Sequence, residues 1–245
     1  MLDIVNGKQL RIPKAVIFDT DNTLYSYMPA HEAAIKSVIK KAVSIFGVSK
    51  AEFIHAFEVS RSDVKKKLGN TASSHSRLLY FQKTIEYLGM GTRILTTLDL
   101  EQTYWRTFLA NAKLFPDVLN FLQQLKNKEI KTANITDLTA QIQFRKMVYF
   151  GLDEYFDYVV TSEEAGADKP DIKPFVMALD KLQTPPQEVW MIGDSASCDI
   201  VGAKEANIVS FQIKNSNKEL KLNEKEIPDV KFDSYTDLMT LLKEL

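Results

Sequence analysis

The 245-residue sequence has one cysteine, Cys198, so it can close no intrachain disulfide and can offer no thiolate cluster to a metal. Histidine is nearly as scarce, with only His31, His55 and His75, and any bound metal is expected to take oxygen ligands. Charge of one sign is also missing: 31 Lys and Arg stand against 32 Asp and Glu, which leaves no basic excess for a nucleic acid or an anionic membrane. No apolar run approaches the ~18 residues of a membrane span. The opening "MLDIVNGKQLRIP" lacks the apolar centre of a secretion signal. These absences lead to the expectation of a cytoplasmic protein, monomer or homodimer, with a small neutral-to-acidic ligand and neither nucleic acid nor membrane as partner.

What is present is an alternation. Short β-branched or apolar runs at "AVIF" (15–18), "KTANIT" (131–136), "DYVVT" (157–161), "EVWMI" (188–192) and "NIVSFQI" (207–213) read as strands. Helical spacing lies between and after them, in Val118, Leu119, Leu122 and Leu125 and again in Leu238, Leu241, Leu242 and Leu245. Strand and helix in turn predict an α/β fold built on a Rossmann-like, doubly wound parallel sheet.

Residues 28–111 interrupt that pattern with four helical segments and no convincing strand. They predict an inserted all-helical domain, leaving 1–27 and 112–245 as a discontinuous core, with Pro29 and Pro116 at the edges of the insertion. In its first helix Ile35, Val38, Ile39, Ala42, Ile45 and Phe46 form one apolar stripe that Gly47 terminates. Another helix is expected from Ser73 to Leu88, ending at Gly89, and "DVKKKLG" places three lysines at a helix C-terminus, where cations suit the helix dipole.

Polar residues of one kind follow the strands. "AVIF" leads into Asp19 and Asp21, "NIT" ends in Thr136 and is followed by Asp137, and "MIG" leads into Asp194 with Asp199 beyond; Lys169 lies in the loop "AGADKPD". Ligands of open α/β sheets bind beyond the carboxyl ends of the strands, so these segments converge if their strands are neighbours. Four carboxylates against one ammonium would repel one another. A hard divalent cation relieves this, and an oxygen-only site with room for water and phosphate suits Mg²⁺. A proton on Asp21 would lower the charge further and supply a general acid, with Thr136, Lys169 and loop N–H groups left to meet phosphate oxygens.

"FDTDNTL", "IT", "DKPD" and "GDSASCD" resemble, in order, the four motifs of the haloacid dehalogenase superfamily, and the helical insertion between the first two resembles the family's C1-type cap. The resemblance implies a HAD-like phosphoric monoester hydrolase: a Mg²⁺-dependent phosphatase of a small phosphorylated metabolite, either a nucleotide monophosphate or a sugar or sugar-acid phosphate. Asp19 would be the nucleophile that forms an aspartyl phosphate, and Asp21 the acid and base. Thr136 and Lys169, with Asp137 between them in sequence, would make up the phosphate-binding group. Asp19, the backbone carbonyl of Asp21, and Asp194 would hold the metal, with Asp199 acting through water or by holding Lys169, and Thr23 would fix the turn. Dehalogenases resemble the pattern but lack the acid at Asp21, which favours phosphoryl chemistry. A phosphomutase of the same superfamily and a non-catalytic binding protein on its scaffold are the alternatives.

The second motif departs from its usual Asn, since Asp137 follows Thr136, and that carboxylate is expected to point away from phosphate or to meet a hydroxyl or amine. Asn134 puts an amide inside a strand and needs a partner if buried, while Asn207 stands where glycine is common and tolerates the left-handed region. Cys198 reads as a packing residue and the three histidines as structural. "GMGTRI" lacks a third glycine and a preceding strand, so it is no dinucleotide fingerprint. In the insertion, Ser73, Ser74, His75, Arg77 and Tyr80, and likewise Trp105 and Arg106, are candidates for substrate contact whose ordinary reading is helix capping and packing.

Overall fold

A computed structural model describes residues 2–5, 9–214 and 223–245. The chain divides into two compact units, residues 1–25 with 114–245, and residues 26–113. The first holds β1 (Asp3–Ile4), β2 (Ala15–Phe18), β3 (Lys131–Thr136), β4 (Tyr158–Thr161), β5 (Val189–Gly193), β6 (Val209–Ile213) and β7 (Val230–Phe232). They form one sheet in the order β1-β7-β6-β5-β2-β3-β4, parallel throughout except for the short edge strand β1. The five strands read from the sequence are all present within two residues of their expected starts. β1 and β7 are additional: at two and three residues they are too short to show a period.

β2 has no accessible surface on either face, as a central parallel strand requires. Ala15 and Ile17 point into a cluster with Ala133, Ile135, Val189 and Met191, which Phe175, Ala178 and Leu182 of a covering helix (Ile172–Leu182) complete. On the opposite face Phe18 meets Phe121 edge-on, and Phe121 packs on Tyr235 from the C-terminal helix. Truncating a side chain as enclosed as Phe18 to Ala costs about 3–5 kcal/mol. The helix Val118–Asn127 buries Val118, Phe121, Leu122 and Leu125, whereas Leu119, expected in that stripe, is 40% exposed.

The second unit is helical: α1 (Tyr27–Phe46), α2 (Lys50–Leu68), α3 (Arg77–Tyr87) and α4 (Ile94–Asn111). Gly47 ends α1 in the left-handed region at φ 68°, and Ser49 with Glu52 forms a capping box that starts α2. The buried stripe of α1 runs Ala30, Ala34, Val38, Ile39, Ala42, so it begins earlier than expected and leaves Ile45 exposed. The helix expected from Ser73 is broken: Ala72–His75 form a short 3₁₀ turn, and Ser76, accepting from the Leu79 N–H, caps a new helix. No helix among the described residues is long and apolar enough to cross a membrane.

The first unit continues as α5 (Val118–Asn127), α6 (Ala140–Phe150), α7 (Ser162–Ala165), α8 (Ile172–Leu182), α9 (Val201–Glu205) and α10 (Tyr235–Glu244). From β2 the chain builds β3 and β4 to one side, then returns to build β5, β6 and β7 on the other. β2 is therefore the switch point of the sheet, with β3 and β5 as neighbours, and a ligand crevice is expected at its carboxyl end.

Candidate active site

Register brings the motifs together. Phe18 aligns with Asn134 of β3 and with Ile192 of β5, and the Asp19 N–H still bonds the Ile192 carbonyl at 2.9 Å. Asp19, Thr136 and Asp194 therefore leave three adjacent strands at the same end. Asn134, fully buried, is partnered as it must be: its amide donates to the Phe18 carbonyl at 2.9 Å and exchanges hydrogen bonds with the Thr20 hydroxyl. That bond ties β3 to the last residue before Asp19.

Lys169 sits at the centre. Its Nζ lies 2.6 Å from Asp19 Oδ1, 2.7 Å from Asp199 Oδ1 and 3.3 Å from the Ile135 carbonyl. Its side chain is only 3% exposed. Burial alone would lower its pKa, but the Asp19, Asp199 and Asp137 carboxylates hold the ammonium charged well above the ordinary range. The other Asp19 oxygen accepts from Thr23 Oγ1 at 2.8 Å, and the Thr23 carbonyl accepts from the buried Tyr235 hydroxyl at 2.9 Å, so the nucleophile candidate is clamped on both oxygens.

Asp199 reaches Lys169 from a tight π-helical turn, Ala196–Ile200, which begins after β5. Its second oxygen accepts from the Ser195 N–H at 3.0 Å. The approach depends on Gly193, because a Cβ there would lie 2.4 Å from Asp199 Oδ2. With both oxygens occupied by donors, Asp199 is placed to hold Lys169.

Asp19, Asp194 and Asp199 bring carboxylate oxygens within 4.8 Å of one another. Burial pushes the Asp19 carboxyl up to about 6, with Asp199 and Asp21 acting in the same direction against Lys169. Asp194 rises to about 8, through burial and then the repulsion of Asp19 and Asp199. Among the described residues no donor meets the Asp194 carboxylate; only its main-chain carbonyl is bonded, by Gln212 Nε2 at 2.9 Å. A crowded, donor-free carboxylate beside Asp19 is the environment that a hard cation relieves.

Thr136, 2% exposed, has its hydroxyl uncommitted among the described residues. Asp137 is committed: Oδ1 accepts from the Lys169 N–H at 3.0 Å, and burial raises its pKa. Here the carboxylate anchors the loop that carries Lys169. Asn207 adopts φ 58°, the left-handed conformation expected of it.

One residue escaped the sequence reading. Lys146 of α6 is buried, and its Nζ lies 2.8 and 3.1 Å from the two carboxylate oxygens of Asp21. The available signal was its spacing, four residues after buried Ile142 on the apolar stripe of α6.

Of the candidates in the helical unit, Arg77, Tyr80 and Trp105 are packed together. Arg77 donates to the His75 carbonyl at 2.6 Å and to the Tyr27 hydroxyl, and lies over the rings of Tyr80, Tyr104 and Trp105. His31 Nδ1 is 2.7 Å from the Tyr104 hydroxyl, and burial, then Arg77 and Arg61, push its pKa down to about 4. Tyr80 bonds the Ser74 carbonyl, while Arg106 is exposed.

Comparison with known proteins identifies the family. The family model of haloacid dehalogenase-like hydrolases matches residues 13–207. A ribulose-1,5-bisphosphate 5-phosphatase of Halopiger xanaduensis is 35% identical over 79% of this chain and 82% of its own length. A glyceraldehyde 3-phosphate phosphatase of Methanopyrus kandleri is 29% identical over 95% and 98%. Among solved structures, YfnB of Bacillus subtilis, a HAD-hydrolase bound to magnesium, superposes with a TM-score of 0.71 at 18% identity, covering 95% of this chain and 100% of that one, and so shares the fold. The chain belongs to the haloacid dehalogenase-like hydrolases, and within that superfamily to the phosphoric monoester hydrolases.

Proposed function

We propose that the protein is a Mg²⁺-dependent phosphatase of a small sugar phosphate, working through an aspartyl phosphate on Asp19. The observation that carries this reading is Asp19 itself, a buried carboxylate held by Lys169 at 2.6 Å and by Thr23 at 2.8 Å beside Asp194, whose carboxylate meets no donor among the described residues. The sugar-phosphate class rests on the relatives, which are phosphatases of ribulose bisphosphate and of glyceraldehyde 3-phosphate.

Asp19, the main-chain carbonyl of Asp21, and Asp194 would hold the metal. When bound, it offsets the charge between carboxylate and phosphate and polarises the phosphoryl group. A carboxylate oxygen of Asp19 attacks phosphorus and the bond to the leaving sugar oxygen breaks, while Asp21 gives that oxygen a proton. Asp21 then takes a proton from water, whose oxygen attacks phosphorus and breaks the acyl phosphate bond, so that Asp19 is regenerated and inorganic phosphate released. Thr136 and Lys169 donate to the phosphoryl oxygens, and Asp199 keeps Lys169 in line. Residues 26–113, inserted between the first and second motifs, are assigned as a C1-type cap.

The test is phosphate release from a panel of triose, pentose and hexose phosphates, with Mg²⁺ or with EDTA, and without any bisphosphate activator. Metal-dependent release that Asp19→Asn abolishes is expected. Full activity in Asp19→Asn removes the mechanism, and turnover only with an activator turns the reading to a phosphomutase.

A further inference from the structure

Lys146 is not needed to bind metal or phosphate in the account above, yet its placement is costly. Its side chain is 1% exposed, on a helix face where Ile142 and Met147 are also buried. Burying an ammonium is strongly unfavourable unless a counter-charge meets it closely, and a leucine or methionine on that stripe would carry no such penalty. The counter-charge is Asp21. Both of its oxygens accept from Lys146, Oδ1 at 2.8 Å and Oδ2 at 3.1 Å, and the Tyr25 hydroxyl donates to Oδ1 as well. The ammonium also lies 5.8 Å from the centre of the Tyr25 ring, which is itself fully buried.

The arrangement is asymmetric. The lysine is enclosed, whereas the Asp21 side chain is 34% exposed. Lys146 and Tyr25 thus grip the carboxyl from the protein side, while part of it stays accessible. Oδ1 accepts from both Lys146 and Tyr25, and its contact with Lys146 is the shorter of the two, so the grip distinguishes the two oxygens. A partly exposed aspartate side chain has room to change rotamer where no donor holds it.

We propose that Lys146, assisted by Tyr25, is a positioning residue that holds the Asp21 carboxyl in the one orientation able to protonate the leaving oxygen. The inference rests on the reading of Asp21 as the acid and base.

Its test is a series of substituted phenyl phosphates whose leaving groups range from nitrophenol to unsubstituted phenol. A leaving group that departs easily needs little protonation, and a poor one needs much. In Asp21→Asn, kcat/KM is expected to fall about tenfold further for phenyl phosphate than for p-nitrophenyl phosphate, which steepens the dependence on leaving-group pKa. Lys146→Met is expected to steepen it in the same way, with KM nearly unchanged, and the double variant to lose little beyond Asp21→Asn alone. Tyr25→Phe, which keeps the lysine and removes one donor, should give a smaller change of the same sign, and it carries the test if Lys146→Met does not fold. A uniform loss across the series in Lys146→Met, or in Tyr25→Phe where it stands in, overturns the positioning role while Asp21→Asn steepens. An unchanged slope in Asp21→Asn itself removes the acid role and, with it, the inference.

Discussion

Gly193 and Asp199 occupy each other's space: a Cβ added at position 193 would lie 2.4 Å from Asp199 Oδ2 and 2.5 Å from its own Cβ. These contacts are with the root of a short side chain, so it cannot simply swing aside. Asp199 in turn holds Lys169, and Lys169 holds Asp19. Gly193→Ala is therefore expected to act on Asp19 through two intermediaries. A displacement near 1 Å costs about 10²-fold in rate, and kcat in Gly193→Ala should fall by about that factor with KM little changed. Steady-state kinetics at saturating Mg²⁺ checks it; a variant with wild-type kcat would show that Asp199 has another way to reach Lys169.

The raised carboxylates set a pH dependence in the metal-free protein. Asp19 and Asp194 keep their protons up to about 6 and about 8, against 3.8 ordinarily. Between pH 4 and 8 these two groups thus bind more protons in the folded protein than in the unfolded chain, and the stability they contribute falls as pH rises through that window. Mg²⁺ needs the ionised carboxylates, so its affinity rises with pH toward 8. The gap in melting temperature between Mg²⁺-loaded and EDTA-treated protein is accordingly expected to widen from pH 5.5 to pH 8.5. A gap that is constant, or wider in acid, would place the cation elsewhere.

Much of this site was legible because strand ends are. β2 and β3 stand where the sequence put them, and Asp19 and Thr136 lie at their carboxyl ends by counting alone. Lys146 was not legible, because its burial depends on Asp21, 125 residues earlier in the chain, and between Arg145 and Met147 it reads as a solvated lysine. The break before α3 was missed for a local reason: Ser76 can sit inside a helix or cap one, and the pattern from Ser73 to Leu88 does not choose between them. From sequence alone the Asp137 carboxylate is expected to point away from phosphate or to meet a hydroxyl or amine; its bond to the Lys169 N–H depends on a loop that the sequence leaves without geometry.

Asp137 offers a separable test of that loop. An asparagine would keep an oxygen for the Lys169 N–H while removing a negative charge near Thr136, whereas alanine would remove the acceptor altogether. Asp137→Asn should keep wild-type kcat with an equal or lower KM for a sugar phosphate. Asp137→Ala, by freeing the loop, should lower kcat about tenfold or more. Equal kinetics for the two variants would mean that the hydrogen bond does not hold Lys169 in place.

His31 gives the helical unit a pH response of opposite sign. Burial, then Arg77 and Arg61, depress its pKa to about 4 from 6.5. The unfolded chain takes up the proton near 6.5 and the folded protein only near 4, so in that window the unfolded state binds more protons. Stability is thus lost as pH falls from 7 toward 4. His31→Gln keeps a neutral polar group beside the Tyr104 hydroxyl and removes the titration. Relative to that variant, wild type is expected to lose about 1 kcal/mol of unfolding free energy between pH 7 and pH 5, a value discounted for the partial exposure of the ring. Urea midpoints for both proteins at the two pH values, with Mg²⁺ present, cancel the contribution of the carboxylates. Parallel midpoints would show that His31 accepts its proton in the folded state as readily as in the unfolded chain.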